Sequence, residues 1–579
     1  MAEKEKQKME AIQNGKWEWI LPTIHFIASF FYEWTILQLC PAKDIVVTVA
    51  KSSIYSEGFE RIMGYCLSKL FAACFIFGLW KLLFFLIRNW KKEKSIRMLF
   101  WFFVVGGLLI AFFWPNGFVY SIDNYVTYSY AIRLFPEYWH SAYTSAIYCA
   151  CLMTIPHPFA ICLFQWLAFV FDLSYLWLRM ERIPAFRRFA KWFVLGIFLI
   201  PGTFLLFSDP YRTEIYALLC MFYLAKILFD AIEGKQYDNA ELAVMTLLGA
   251  FVAVWRTEGI LLGGLGFVGC LLFVGQRKMK QNLLWFLAFV CAFLLISFPQ
   301  KVGNEKYYGN DYSIINSFAV LRNVLNRSDA VLDYEGARED LAAIEAVVPL
   351  EAIQVYGLEG YRRHNYLNGN KDINQSLVSA EVGKNYVRAF YRIALHNPLI
   401  YAQTQVGMLK MVTGLRDASY IQGTSIVLSK EYPAWEYLPW QYGREDLLSF
   451  PFVEKWEKWP VRNSFADWVE RTTKKLQDLG RKVFYVPFVL ICIPLMNGLI
   501  FLGEMIRFFK LPKGEKNLQK LLFAYVALLL IGQFAMIALV MPEASLSYFC
   551  AAYNCSFVLL LLYFGSFVRR QKEPGSEEK

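Results

Sequence analysis

The sequence predicts an all-α polytopic membrane protein, and three observations carry that prediction. The chain is 57% hydrophobic and 18% aromatic over 579 residues. Its apolar residues come in blocks of membrane-spanning length, not in the one-faced stripes of soluble helices. Basic residues collect in short loops between those blocks, which is the pattern of cytoplasmic loops; the formal charge of +11 is therefore spent there and does not mark a nucleic-acid surface. No cleavable leader is expected, because the first sixteen residues are a mixed-charge run and the apolar segment after them lacks a small-residue cleavage site.

A bilayer core takes roughly 20 helical residues, and a window of that length places about twelve spans. They fall near residues 17–38, 63–87, 98–118, 159–179, 191–207, 214–232, 241–255, 258–275, 283–300, 483–507, 519–541 and 547–568. Loop charges test the count. Arg88, Lys91, Lys92, Lys94 and Arg97 fill one loop, and Arg179, Arg182, Arg187, Arg188 and Lys191 fill another. Arg277, Lys278 and Lys280 mark a third, Lys510, Lys513 and Lys516 a fourth, and Arg569 and Arg570 open the tail. With this number of spans all of them share one face, so both termini are expected in the cytoplasm of a plasma membrane, bacterial in character. Lys69, Lys81 and Lys226 lie inside spans and are explained by snorkelling. The stretch 142–155 ("AYTSAIYCACLMTI") is apolar enough to mimic a span. Counting it would invert the basic loops, so it is expected to be a helix lying at the outer interface.

The spans divide the chain into four parts. Residues 1–97 form a cytoplasmic tail and an accessory two-helix hairpin, and 98–300 form a transmembrane module whose first outer loop is 119–158. Residues 301–482, roughly 180 of them, match one domain in size and are expected to form a mostly helical extracytoplasmic domain. Residues 483–579 supply three last spans and a tail. None of the twelve cysteines falls in 301–482, so disulfides do not staple that domain. Zinc spacings, Walker loops and dinucleotide fingerprints are all missing from the sequence.

Polar groups gather at the predicted outer face. An arginine and a glutamate interrupt the run Leu242 to Gly275, which has no other charge. That run is too long for one pass, so a break near Arg256 puts both charges at a membrane face. Arg-Thr-Glu occurs twice, as Arg212-Thr213-Glu214 and Arg256-Thr257-Glu258, each opening an inward-running helix. This suggests a shared role: the helix N-terminus favours Glu, Thr caps, and Arg faces an anion such as a lipid phosphate. Capped ends with local ion pairs are the structural alternative.

The first outer loop, "NGFVYSIDNYVTYSYAIRLFPEYWHSAYTS", sets Asp123 among tyrosines, Tyr128 included, and Trp139. A carboxylate beside aromatic rings suits sugar chemistry, since the acid deprotonates an attacking hydroxyl and the rings stack on the sugar. As an alternative, "SID" makes Asp123 a helix cap and the tyrosines an interfacial belt. His157 stands between two prolines before the next span, either as a phosphate or hydroxyl contact or as a structural helix start. Glu543 and Tyr548 stand at the outer start of the last span, where the acid also serves as a cap.

The order of these features resembles the GT-C fold glycosyltransferases, in the bacterial branch related to protein mannosyltransferases and aminoarabinose transferases. The resemblance rests on Asp123 early in a long outer loop, on the His157-Pro158 step, on Arg256 to Gly259 opening a short span, and on the acid-plus-Tyr start of the last span. It covers about 98–300 and 483–568. It implies transfer of a sugar from a polyprenyl-phosphate donor, with inversion, to a glycan, lipid or protein acceptor at the outer face, in contact with membrane lipid and with no nucleic acid. Asp123 would then be the general base. Arg256, Arg212 and His157 would neutralise the donor phosphate as charge builds on it, with Glu258, Asp209, Glu214, Tyr128, Glu543 and Tyr548 around the substrate. Many relatives carry paired acids in the first loop, whereas Asn124 follows Asp123 here, which weakens the case for a metal-assisted or two-acid site while leaving room for a divalent cation. Where relatives often have Arg before the last-span Tyr, this chain has Ser547. A flippase or polymerase of lipid-linked saccharides is the alternative and should carry charges deep in several central spans; a non-catalytic assembly protein is the third class.

Overall fold

A computed structural model describes residues 16–33, 58–90, 94–113, 127–128, 130–138, 141–157, 159–183, 187, 190, 212–275, 278–307, 311–356, 380–412, 459–479, 491–516, 518–540 and 546–572. Every regular element among them is helical. Seven helices are long and apolar enough to cross a membrane, so the chain is an all-α polytopic membrane protein, in which helices satisfy their own backbone polar groups.

In chain order the membrane part comprises α1 (Trp17–Tyr32), α2 (Gly58–Asn89), α3 (Lys94–Phe113), α4 (Ala142–Thr154), α5 (Phe159–Glu181), α6 (Arg212–Ile232) and α7 (Asn239–Trp255). It continues through α8 (Ile260–Gly275), which contains two π turns, and α9 (Met279–Tyr307). A helix stands at each expected span except 191–207, which lies outside the described residues. Helices α1, α7 and α8 are shorter than a full span.

Five helices then pack around a core of their own: α10 (Asp311–Leu325), α11 (Ala337–Glu345), α12 (Leu350–Tyr356), α13 (Ala380–His396) and α14 (Pro398–Val412). Ile314, Phe318, Leu321, Tyr386 and Ile393 fill that core. The chain ends with α15 (Pro460–Leu479), α16 (Ile493–Lys510), α17 (Leu522–Val540) and α18 (Leu546–Lys572).

Small residues bring α7 and α8 together. A Cβ at Gly263 would lie 2.4 Å from the Gly249 carbonyl oxygen and 2.5 Å from the Ala253 nitrogen, so only glycine permits this backbone contact. The start of α7 is fixed by a reciprocal cap. Glu241 N–H donates to the Asp238 carboxylate at 2.8 Å, and Asp238 N–H to Glu241 at 3.4 Å.

Two expectations need correction. Helix α4 is not an amphipathic helix on the outer surface: every residue but Ile147 is buried, against α2, α1 and α5. Its small residues, Ala142, Ser145, Ala146 and Cys149, let neighbours approach, and an interfacial helix would need a polar face that this sequence lacks. Lys69 and Lys226 do not snorkel either. Lys69 Nζ lies 2.5 Å from Glu33, donates to Ser29 Oγ at 2.8 Å and sits 3.7 Å from the Phe30 ring centre. Lys226 pairs with Asp230 one turn away, at 2.8 Å. A partner within reach neutralises each charge where it stands. Exposed Lys81 lies over the Trp19 ring, as a snorkelling stem would.

The described part of the segment 119–141 forms a buried turn. Phe135 N–H donates to Tyr130 O and Leu134 N–H to Ala131 O, a Schellman closure with Leu134 at φ 60° in the position usually held by glycine. The Leu134 carbonyl lies so close to α2 that a Cβ on Gly64 would meet it at 2.4 Å. On the other side, Gln300 of α9 donates to Tyr138 O at 2.6 Å and accepts from Ala142 N–H at 2.7 Å.

Candidate functional site

The start of α6, the turn between α7 and α8, and the start of α18 meet at one place. Trp255, the last residue of α7, donates its indole N–H to Arg212 O at 2.7 Å, which ties that turn to the first residue of α6. Arg256 follows in extended backbone, φ −142° and ψ 156°, so Arg256 and Glu258 point inward while Thr257 is exposed. Gly259 closes the turn against α7, where a Cβ would lie 2.3 Å from Val252 O. Arg-x-Glu-Gly is thus a spacing that turns two charges into the protein.

The Arg256 guanidinium is 4% exposed and fully engaged in three directions. Nε donates to the Glu258 carboxylate. Nη1 donates to Thr213 Oγ1 at 2.7 Å. The plane lies over the Tyr548 ring, 5.1 Å from its centre. Below it, Tyr216 is within electrostatic reach of both Arg256 and Glu258, and Gln533 of α17 donates to the Tyr216 hydroxyl at 3.4 Å. Glu214 is fully buried beside Cys550 of α18. Arg212, the first residue of α6, is half-buried.

The two Arg-Thr-Glu copies therefore interlock instead of playing one shared role. Thr213 of the first supplies a hydroxyl to the arginine of the second, whereas Thr257 faces outward. A guanidinium held by a carboxylate, a hydroxyl and a ring is a rigid, desolvated cation whose charge is already largely matched. In this arrangement Arg256 orders the site, and Arg212 is the less buried of the two arginines.

Set against known proteins, the chain matches no family model, no curated protein and no solved structure. The site has to be judged from its own geometry.

Of the residues singled out from sequence, Arg212, Glu214, Arg256, Glu258 and Tyr548 come together. The described contacts of Tyr128 and His157 lie elsewhere. Tyr128 is buried in a second apolar cluster with Tyr130, Phe135 and Met153. His157 accepts the Phe159 N–H at Nδ1, 3.1 Å, and so serves at the start of α5. Burial holds its imidazole below the usual range, which keeps it neutral and leaves the N–H on Nε2. Asp123, Asp209 and Glu543 lie outside the described residues. Among those residues no group of three or more His, Cys, Asp or Glu side chains is placed to hold a metal ion.

Two acids were missed. Glu137, in the turn before α4, is 1% exposed, accepts from Thr127 Oγ1 at 2.5 Å, and has its own N–H bonded to Ser145 Oγ at 3.1 Å. Asp172 is 4% exposed, stands in the middle of α5, and its Oδ2 has no hydrogen-bond partner among the described residues. The sequence signal for Asp172 was available, because it is the only charge between Phe159 and Leu178. The same rule that singled out Arg256 applies there.

Proposed function

We propose that the chain is an integral-membrane glycosyltransferase of the GT-C type. It takes a sugar from a polyprenyl-phosphate donor and transfers it, with inversion, to a cell-envelope glycan, lipid or protein acceptor at the outer face. Asp123 removes the proton of the acceptor hydroxyl as that oxygen attacks the anomeric carbon; the bond from that carbon to the phosphate oxygen breaks, and polyprenyl phosphate leaves. Arg212 contacts the phosphate, and Arg256 holds the three segments in register behind it, with Glu258 and Tyr548 fixing its orientation. A cation near the leaving phosphate stabilises the charge that develops there.

The observation that supports this reading is the convergence of α6, the α7–α8 turn and α18 on a buried Arg256. Two of these segments, the start of α6 with Arg212 and the α7–α8 turn with Arg256, are ones that the sequence resemblance assigns to the donor phosphate. One observation favours the alternative of a flippase or polymerase: Asp172 lies deep in a central span, where a polar path would need it.

The test is sugar transfer from radiolabelled polyprenyl-phosphate sugars to membrane extracts by the reconstituted protein. Transfer by wild type, lost in Asp123→Asn with donor binding retained and kept in Asp172→Asn, is the expected result. Equal transfer by wild type and Asp123→Asn would remove Asp123 from the chemistry. Transbilayer movement of lipid-linked saccharide without transfer, abolished in Asp172→Asn, would replace the reading with transport.

A further inference from the structure

Helix α15 belongs by position to the large region between α9 and α16, yet its surface is that of a membrane element. One face is turned to the protein. Arg462 is buried and donates from Nε to Phe112 O at 3.2 Å, Ala466 sits in the main core, and Val469 packs against it. A second face carries Asp467 and Arg471, both exposed. The third carries Val461, Phe465 and Trp468 at helical spacing, and these are 64%, 44% and 57% exposed. Uncovered apolar stripes of this kind mark an interaction surface.

The neighbouring span indicates what covers it. Helix α3 exposes Trp101, Val105, Leu108 and Leu109 along one side, which is its lipid-facing stripe. Phe112 is the next position on that stripe, at the span's end. Its ring stands edge-on to Phe465 with centres 6.0 Å apart, and Phe465 in turn stacks on Trp468 at 5.9 Å. The lipid-facing surface of α3 therefore runs without interruption onto the third face of α15. Charges on the second face keep α15 from entering the hydrocarbon, and a tryptophan between apolar and charged neighbours suits the headgroup boundary.

We infer that α15 lies in the interfacial zone of the bilayer, with Val461, Phe465 and Trp468 set among lipid chains and Asp467 and Arg471 facing water. The helix then fastens the large region to the membrane surface beside the end of α3. This inference does not depend on the proposed transferase activity.

The experiment places the photoreactive residue p-benzoylphenylalanine at position 465, 468, 467 or 471 of the full chain, reconstituted in phosphatidylethanolamine and phosphatidylglycerol vesicles. After irradiation, adducts are counted by mass spectrometry. Phospholipid adducts on the order of tenfold more abundant at 465 and 468 than at 467 and 471 are expected from one-sided insertion. Equal lipid labelling at all four positions, no lipid labelling at 465 and 468, or chain-to-chain adducts dominating there would each overturn the inference, the last in favour of a second copy of the chain.

Discussion

The two ends of α6 carry two buried ionic clusters built on different principles. At its C-terminal end Asp230 is fully buried and accepts from Arg179 at 2.8 Å, from Lys226 at 2.8 Å and from the Tyr237 hydroxyl at 2.6 Å, while Arg179 also donates to Glu233 at 3.0 Å. Most of these groups are close in sequence, and only Arg179 comes from another helix, α5. At its N-terminal end Arg256 is held by Glu258, Thr213 and Tyr548, from three separate segments. In the local cluster a short stretch of chain brings Lys226, Asp230 and Tyr237 together, and the packing of α5 adds Arg179. The remote one exists only after α6, the α7–α8 turn and α18 have packed, so it reports on that packing and can be tuned by it.

The largest expected effect breaks the local cluster. Asp230→Ala removes the acceptor shared by two cations and a hydroxyl, and loss of one partner from a buried pair costs about 3–5 kcal/mol. Thermal unfolding in detergent should show a large fall in Tm; an unchanged Tm would mean that Arg179 and Lys226 reach water without difficulty.

A smaller effect sharpens the contrast at the other end. Arg256→Met leaves Glu258 buried beside Tyr216, so a stability loss of about 3 kcal/mol is expected. In the double variant Arg256→Met with Glu258→Leu most of that stability should return, since an apolar pair of similar volume replaces a buried ion pair with little net change. Thermal unfolding measures the recovery, and the transfer assay separates the roles. A double variant as stable as wild type but inactive makes the pair part of the site, whereas one both stable and active makes it a packing device.

The smallest effect belongs to an exposed ion pair that serves as a control. Arg327 donates to Asp329 at 2.8 and 2.6 Å and holds its carboxyl below the usual carboxylate range. A lowered folded-state pKa contributes stability above the unfolded value of about 4, and that contribution is lost as pH falls through the lower folded value. Because the pair is exposed, Asp329→Asn should leave the unfolding profile nearly unchanged at neutral pH. A measurable shift there would show that exposed pairs matter in this chain as much as buried ones.

Much of the fold was legible because hydropathy and length are properties of a segment. The starts of α5, α6 and α8 fall within a few residues of the expected positions. Arg256 and Glu258 stood out because an uncharged run makes a charge conspicuous, and the same reasoning would have found Asp172. The site's membership was only partly legible. Nothing local distinguishes Thr213, which receives the Arg256 hydrogen bond, from Thr257, which faces outward. Glu137 was hidden because an acid in a polar loop looks solvated until the loop turns inward at Leu134.

The sequence by itself determined that this is an all-α polytopic membrane protein and where most of its helices lie, since each helix must satisfy its own backbone in lipid. Which charges pair, which helix is buried on all sides and which arginine is sealed were decided only by the tertiary structure. Lys69 pairs with Glu33, 36 positions away, and Arg256, though its carboxylate partner Glu258 is two residues on, takes its hydroxyl partner from Thr213, 43 positions away, and its ring from Tyr548. The energy of a buried charge depends on that partner rather than on the segment that carries it.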